Sequence, residues 1–139
     1  TRGVTAMAGT FGYELNLGKL SEEEKEEIRL QVEEYRKFAP LIQTGLYYRL
    51  SDPTKEKYAA WAFVSEDQKE VLLNVVMQEI HGNMTVNYVN LQGLKCGAFY
   101  HDTETGKIYN GAALMEAGIP MPVEMGELKA YQMHLVAEE

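Results

Sequence analysis

The sequence predicts a mainly β fold, in which an antiparallel β-sandwich follows one strand–helix unit of the kind that α/β barrels repeat. Near the start, Gly9 and Gly12 lead into a strand-like run at residues 13–17, and a strongly marked helix start follows. After residue 45, short runs of strand-forming residues alternate with turn residues, which is typical of antiparallel sheets. The boundary is expected near residues 41–44, where helical periodicity gives way to strand periodicity.

The helix is predicted over residues 22–39. Ser21 and Glu24 match a capping box, in which each side chain accepts a hydrogen bond from the other residue's backbone amide. Apolar residues at helical spacing form one stripe: Ile28, Val32, Tyr35 and Ala39. Pro40 is expected to end the helix, because the residue before a proline avoids the α conformation. We expect Ile28, Val32, Tyr35 and Phe38 to pack on the sandwich or on a second copy of the chain.

The strands are predicted from runs of β-branched and aromatic residues bounded by turns. They cover residues 45–50, 58–65, 71–79, 84–91, 95–101, 108–111 and 127–138. In the second run, Trp61 and Phe63 are expected on one face, opposite Ala60, Ala62 and Val64. Residues 111–122 interrupt the pattern and predict one or two helical turns, ended by Gly118 in the left-handed conformation.

Composition excludes several classes of function. The chain has 139 residues, the size of one domain, with 45% hydrophobic and 24% charged residues, as in a globular protein. Its net charge of −8 argues against nucleic acid and anionic membranes as partners, and no apolar run is long enough to span a bilayer. Cys96 is the only cysteine, which excludes an internal disulfide and is compatible with a cytoplasmic location. Its side chain is expected to pack in the core. The first residue, Thr1, favours a piece of a larger polypeptide.

No catalytic or metal-binding constellation is recognisable in the residues. His81, His101 and His134 are far apart and match no zinc-ligand spacing, and neither a nucleophile elbow nor a phosphate-binding loop is present, so no metal or cofactor is expected. The acidic run at residues 22–27 is interpreted as the solvated start of a helix, where carboxylates favour the helix dipole. Glu14, in the predicted first strand, is a single carboxylate and does not make a hydrolase.

The aromatic residues allow two interpretations. Flat rings can stack on the apolar faces of sugars, and six residues are candidates: Tyr47, Tyr48, Trp61, Tyr88, Tyr100 and Tyr109. The other interpretation is that these rings fill the core and form cross-strand pairs. Trp61 and Tyr88 are the sugar-stacking candidates that we retain. A carbohydrate-binding module would need at least two such rings exposed on one open sheet face.

Several stretches resemble the α-galactosidases of glycoside hydrolase family 36. They are "TRG", "AMAGTFGYELNLGKLSEEEKEEI", "LIQTGLYYRLSDP", "AAWAFVSEDQKEVLL" and "IYNGAALMEAGIPM", in the family's order and spacing. The resemblance implies that residues 1–40 are the last strand and helix of an eight-stranded (β/α)8 catalytic barrel. It implies that residues 41–139 are the C-terminal antiparallel β-sandwich domain. We expect the first ~10–20 residues to fray or swap between copies in an isolated chain.

The resemblance also implies a function for the parent enzyme. Family members are retaining enzymes that remove terminal α-linked galactose from oligosaccharides, with two aspartates in upstream motifs that this sequence lacks. The chain is therefore expected to carry no catalytic residue and to serve the stability or assembly of the barrel. Its expected partners are the rest of the barrel and, in a homo-oligomer, a second copy of the chain. Active sites of such barrels lie at the C-terminal ends of the strands, and the residues expected near the substrate are Gly9, Thr10, Gly12 and Asn16. Asn16 stands where the family commonly has aspartate.

Overall fold

The computed structural model of the chain describes residues 2–52, 54–78, 85–122 and 129–138. In these residues the helices are Arg2–Ala6 (α1), Glu22–Thr44 (α2) and Gly111–Glu116 (α3), and a short 3-10 helix spans Leu17–Lys19. The strands are Leu46–Arg49 (β1), Tyr58–Val64 (β2), Glu70–Met77 (β3), Tyr88–Val89 (β4), Phe99–Asp102 (β5), Ile108–Asn110 (β6), Ile119–Pro120 (β7) and Ala130–Ala137 (β8). The predicted strand ends at residues 79, 84 and 127–128, and His81, lie outside the described residues.

One large sheet organises the molecule. Its six strands follow the order β1-β2-β3-β8-β5-β6, every pairing is antiparallel, and β4 and β7 form a separate two-stranded ribbon. The predicted mainly antiparallel β fold is therefore confirmed. Its two layers are unequal, because the second layer consists of this ribbon with α3 and the adjoining loops. The ribbon strand at residues 119–120 was not predicted, whereas α3 and the left-handed Gly118 after it (φ +82°) were.

Both faces of β2 and β3 are covered, so these strands are almost continuously buried. The predicted alternation in β2 is confirmed. Ala60, Ala62 and Val64 belong to the core that includes Val89 and Ile119 of the ribbon. On the opposite face, Trp61 and Phe63 pack in a second core with Leu72 and three residues of α2: Phe38, Leu41 and Ile42.

Helix α2 begins as predicted and ends later than predicted. The Glu24 amide donates to the Ser21 hydroxyl at 3.1 Å, and the Ser21 amide donates to the Glu24 carboxylate at 2.8 Å, which confirms the capping box. The expectation that Pro40 ends the helix is wrong, since α2 continues to Thr44. Proline removes one helical hydrogen bond, but Pro40 lies on the exposed side while Leu41 and Ile42 are buried against the sheet. This packing offsets the lost bond.

The apolar stripe of α2 is covered by two different parts of the chain. Phe38 is buried on the sheet, as expected, and the half-buried Tyr35 packs beside it. Ile28 and Val32 are half-buried, and Ile28 lines a cavity beneath residues 11–20 rather than contacting the sheet. The N-terminal half of α2 is therefore covered by the chain's own first residues.

The predicted strand at residues 13–17 is not formed. Residues 11–16 are irregular, and Leu17 begins the 3-10 helix. The alternation that suggested a strand exists in the sequence only, since Tyr13, Leu15 and Leu17 are exposed and so are the residues between them. A strand requires hydrogen bonds to neighbouring strands, and no strand of the described chain lies beside this segment. Helix α1 was also not predicted.

Asp102 organises the turn between β5 and β6. Its side chain is buried (3% exposed) and accepts hydrogen bonds from the Glu104 amide at 2.9 Å and the Thr105 hydroxyl at 2.6 Å. Gly106, in the left-handed conformation (φ +71°), donates its amide to the Asp102 carbonyl at 2.8 Å. Burial by itself raises the pKa of Asp102, but these hydrogen bonds, with Lys107 nearby, hold the pKa below its usual range.

Replacing Asp102 should make the stability of the chain less dependent on pH. Because the pKa is lower in the folded state, the stabilisation is complete above the unfolded value of about 3.9 and is lost as the pH falls through the folded value. We expect Asp102→Asn to lower the free energy of unfolding by about 2 kcal/mol at pH 7, with a smaller difference near pH 3. Urea unfolding at the two pH values measures this. Glu104→Gln, in the same turn, is the control, and an equal loss in both variants would contradict the role of Asp102.

Candidate functional site

Residues 7–20 cross the N-terminal half of α2, and residues 11–20 and α1 line an open cavity of about 640 Å³ against it. The Tyr35 hydroxyl donates to the Gly9 carbonyl at 3.0 Å, and the Tyr13 hydroxyl donates to the Gln31 side chain. The Phe11 ring lies with its centroid 5.3 Å from that of Tyr35. These aromatic contacts hold the segment on the helix, since residues 11–16 form no regular structure.

The four residues expected near the substrate lie together on this segment, and all are exposed: Gly9, Thr10, Gly12 and Asn16. A Cβ atom added at Gly9 or Gly12 would meet nothing within 4 Å. Packing within the described chain therefore does not require glycine at either position, and the backbone there is open to approach. Asn16 is engaged internally, because its side chain accepts a hydrogen bond from the Gly18 amide at 3.1 Å and caps the 3-10 helix.

The polar groups around this cavity serve structure rather than acid–base chemistry. The Glu24 carboxylate is part of the capping box, and Glu27 accepts a hydrogen bond from the Gln31 amide group at 3.1 Å. Burial, with Glu27 nearby, raises the pKa of Tyr13, so its hydroxyl is a neutral donor at neutral pH. A retaining glycosidase needs two carboxyl groups facing one bond, and the two carboxylates here are already bound to their own helix.

The two sugar-stacking candidates lie on opposite sides of the molecule. Trp61 is 8% exposed and packs under α2, whereas Tyr88 is 54% exposed on the ribbon that covers the other face of the sheet. The two rings therefore do not form a common platform. Among the other candidates, Tyr100 is fully buried, and Tyr47 is exposed at the β1 edge, where its ring contacts Phe63.

His134 has a set of partners that its place in the sequence does not indicate. Its Nε2 lies 2.8 Å from Glu70 Oε1 and its Nδ1 lies 3.1 Å from Thr103 Oγ1, while the Phe38 ring covers the imidazole at 5.0 Å between centroids. A hydroxyl, an imidazole and a carboxylate in this order also occur in nucleophilic triads. Here the contacts tie the β5–β6 turn to β3 and to α2, so they are structural. Register across β3 and β8 creates them, and no local spacing could have revealed them.

In the part of the chain that the structure describes, Cys96 and the other ionisable groups form no reactive site. Cys96 is exposed in the turn before β5, so the expectation that it packs in the core is wrong. Tight turns keep their side chains at the surface, and the Cys96 carbonyl binds the Ala112 amide at 3.2 Å. Within the described ranges, no cluster of three or more His, Cys, Asp or Glu residues could hold a metal ion. None of the helices described is long and apolar enough to cross a membrane.

Comparison with known proteins identifies two family models along the chain. The glycosyl hydrolase family 36 C-terminal domain matches residues 58–135, and the melibiase family matches residues 1–45. The bifunctional α-galactosidase/sucrose kinase AgaSK of Mediterraneibacter gnavus is 53% identical over 132 residues, which is 95% of this chain and 14% of that protein. The α-galactosidase AgaA of Geobacillus stearothermophilus is 37% identical over 137 residues, which is 99% of this chain and 19% of that protein.

Solved structures agree with these matches. The galactosidase domain of AgaSK superimposes with a TM-score of 0.92 at 50% identity, over 99% of this chain and 19% of that one. An AgaA variant in complex with raffinose superimposes with a TM-score of 0.91 at 36% identity, again over 99% and 19% of the two chains. The chain thus spans less than a fifth of the length of these relatives.

Removing the Tyr35 hydroxyl should loosen residues 9–16, the segment that carries Gly9, Thr10, Gly12 and Asn16. Tyr35→Phe deletes the hydrogen bond to Gly9 and keeps the ring contact with Phe11. We expect chymotrypsin to cleave after Phe11 or Tyr13 about fivefold faster, since one such bond contributes about 1 kcal/mol. Mass spectrometry of a cleavage time course measures the rate. Tyr47→Phe, at an exposed tyrosine on β1, is the control, and unchanged cleavage in Tyr35→Phe would show that the bond does not hold the segment.

Proposed function

The chain belongs to glycosyl hydrolase family 36, and we propose that it is the non-catalytic C-terminal part of a retaining α-galactosidase that removes terminal α-linked galactose from oligosaccharides. The observation that carries this proposal is the match to AgaSK, at 50% identity and a TM-score of 0.92 over 99% of this chain but only 19% of the AgaSK domain. The chemistry would lie in the part of the enzyme that this chain does not match.

The proposal divides the chain into two working parts. Residues 1–40 are the end of the catalytic barrel, and residues 41–139 are the β-sandwich domain. The separate matches at residues 1–45 and 58–135 support this division. The exposed apolar side chains of Tyr13, Leu15 and Leu17 also support it, and none of the amides of residues 10–15 donates to a backbone carbonyl of the described chain. A neighbouring barrel strand would supply those partners.

The sheet domain is proposed to fix the last helix of the barrel. Helix α2 begins with its own capping box and ends against the sheet, where Phe38, Leu41 and Ile42 are buried with Trp61 and Leu72. A barrel whose last helix is anchored in this way cannot open at that helix without exposing a core. We assign two roles to the domain: it stabilises the barrel and it contributes to assembly of the enzyme into a homo-oligomer.

The substrate side of the proposal concerns residues 9–16. Active sites of such barrels lie where the strands end, and the open backbone at Gly9 and Gly12 would let a sugar or a neighbouring loop approach closely. Thr10 and Asn16 would border the same rim. Variants of AgaA have been solved with raffinose and with stachyose, and we propose α-galactosides of this kind as substrates of the parent enzyme. We place that enzyme in the cytoplasm, as the single cysteine allows.

A segment exchange with AgaSK tests the proposal. The matching segment of the AgaSK galactosidase domain is deleted in one variant and replaced by this chain in another. We expect the deletion variant to lose α-galactosidase activity and the exchange variant to recover it, because the chain restores the barrel's last helix. This chain alone should release no galactose, since it contributes no catalytic carboxylate pair.

Two matched substitutions in the exchange variant separate anchoring from a general effect. Phe38→Ala removes a buried ring between α2 and the sheet and should destabilise the protein by about 3–4 kcal/mol. Leu30→Ala, at a residue 53% exposed on the same helix, should change stability little. Full activity of the deletion variant, or galactose release by the chain alone, would overturn the proposal.

A further inference from the structure

A polar groove lies on the side of the molecule away from α2. Residues 55–58, which lead into β2, face residues 85–88, which lead into β4, and the space between them is about 480 Å³. This volume lies within the range of small-molecule sites, roughly 300–1,000 Å³. Nothing in the proposed function uses this groove, because it is remote from residues 9–16 and from the interface with α2.

Tyr88 presents its ring to the groove from a fixed backbone. The next residue, Val89, is fully buried in the core between the sheet and the ribbon, and the ribbon pairs Val89 with Ile119 and Tyr88 with Pro120. The Tyr88 side chain is 54% exposed. An aromatic ring held in this way offers a flat apolar face at little conformational cost. Val86, also exposed, extends the apolar edge.

Tyr58 supplies a buried hydroxyl group that is only loosely bonded. The residue is 7% exposed, and its hydroxyl lies 3.3 Å from Glu56 Oε1 and 3.4 Å from the Tyr88 carbonyl. Hydroxyl hydrogen bonds are normally about 2.7–2.8 Å long, and a buried polar group without a good partner is costly. Burial, with Glu56 nearby, raises the pKa of Tyr58, so the group is a neutral donor. A ligand oxygen in the groove would give this hydroxyl a shorter bond.

The charges around the groove balance. Lys55 pairs with Asp52 at 3.2 Å, and Glu56 accepts a hydrogen bond from the Asp52 amide at 2.8 Å. With Lys57, the four charged side chains sum to zero formal charge. Such a site has no net attraction for an anion or a cation, but it offers both donors and acceptors to hydroxyl groups.

We propose that this groove is a binding site for a neutral saccharide, smaller than the two-ring platform of a carbohydrate-binding module, with a pyranose ring stacked on Tyr88 alone and a sugar hydroxyl bonded to the Tyr58 hydroxyl. Each part of the site matches one property of a sugar. The exposed ring of Tyr88 matches the apolar face of a pyranose, and the weakly bonded Tyr58 hydroxyl matches a sugar oxygen. The balanced charges match the neutrality of the saccharide. The site binds and does not react.

NMR titration of the isotopically labelled chain with raffinose tests the site. We expect shifts confined to the amides of residues 54–58 and 85–89, with a Kd on the order of a few millimolar, as for one stacked ring with few hydrogen bonds. Tyr88→Ala should weaken binding roughly tenfold, and Tyr58→Phe, which keeps the ring and removes the hydroxyl, roughly fivefold. Tyr47→Ala removes an equally exposed tyrosine, 58% accessible, from β1 and is the matched control.

The outcomes are distinct. Localised shifts that Tyr88→Ala weakens and Tyr47→Ala leaves unchanged would support the site. Absence of shifts at the groove in the folded chain, or equal binding by Tyr88→Ala and the unsubstituted chain, would overturn it. Neither negative result affects the proposed function, because the exchange experiment with AgaSK requires no sugar binding by this domain.

Discussion

Strands β2 and β3 are apolar on both faces, and keeping both faces from water is the constraint on which the rest of the structure depends. One face is covered by the ribbon, α3 and their loops, and the other by the C-terminal half of α2. Apolar burial contributes roughly 25 cal/mol per Å². Detaching either the ribbon with α3 or the C-terminal half of α2 from the sheet would therefore cause a large loss of stability. This explains why α2 continues through Pro40: the buried residues beyond it, Leu41 and Ile42, complete the second core.

The same constraint decides which parts of the chain remain available for function. Anchoring the C-terminal half of α2 leaves its N-terminal half to be covered by residues 2–20, which are held by a few side-chain contacts and keep Gly9 and Gly12 open. On the other face, the ribbon fixes Val89 in the core and thereby turns Tyr88 outward. A site proposed for the intact enzyme and a site proposed for the domain itself thus lie on opposite sides of one sheet.

Local patterns predicted the start of α2, the short helix α3 and the strands of the large sheet. They did not predict the features that depend on pairing or packing between distant parts of the chain. The capping box, the alternation in β2 and the left-handed Gly118 each depend on neighbouring residues, and all three were predicted from sequence. Insertion of β8 between β3 and β5 brings His134 to Glu70, 64 positions away, and no local pattern carries that information. Residues 13–17 show the opposite case, since they have the period of a strand but lack a partner strand in the described chain.

The central claim is that α2 and the sheet form one cooperative unit, so that the β domain anchors the helix. Native-state hydrogen exchange of the chain tests this most directly, because it reports the free energy of opening at each amide. If the claim is correct, the amides of Leu41 and Ile42 will exchange with the same free energy as those of Leu72 and Leu73 in β3, equal to that of global unfolding. Exchange of the α2 amides at a much lower free energy, with β3 still protected, would contradict it.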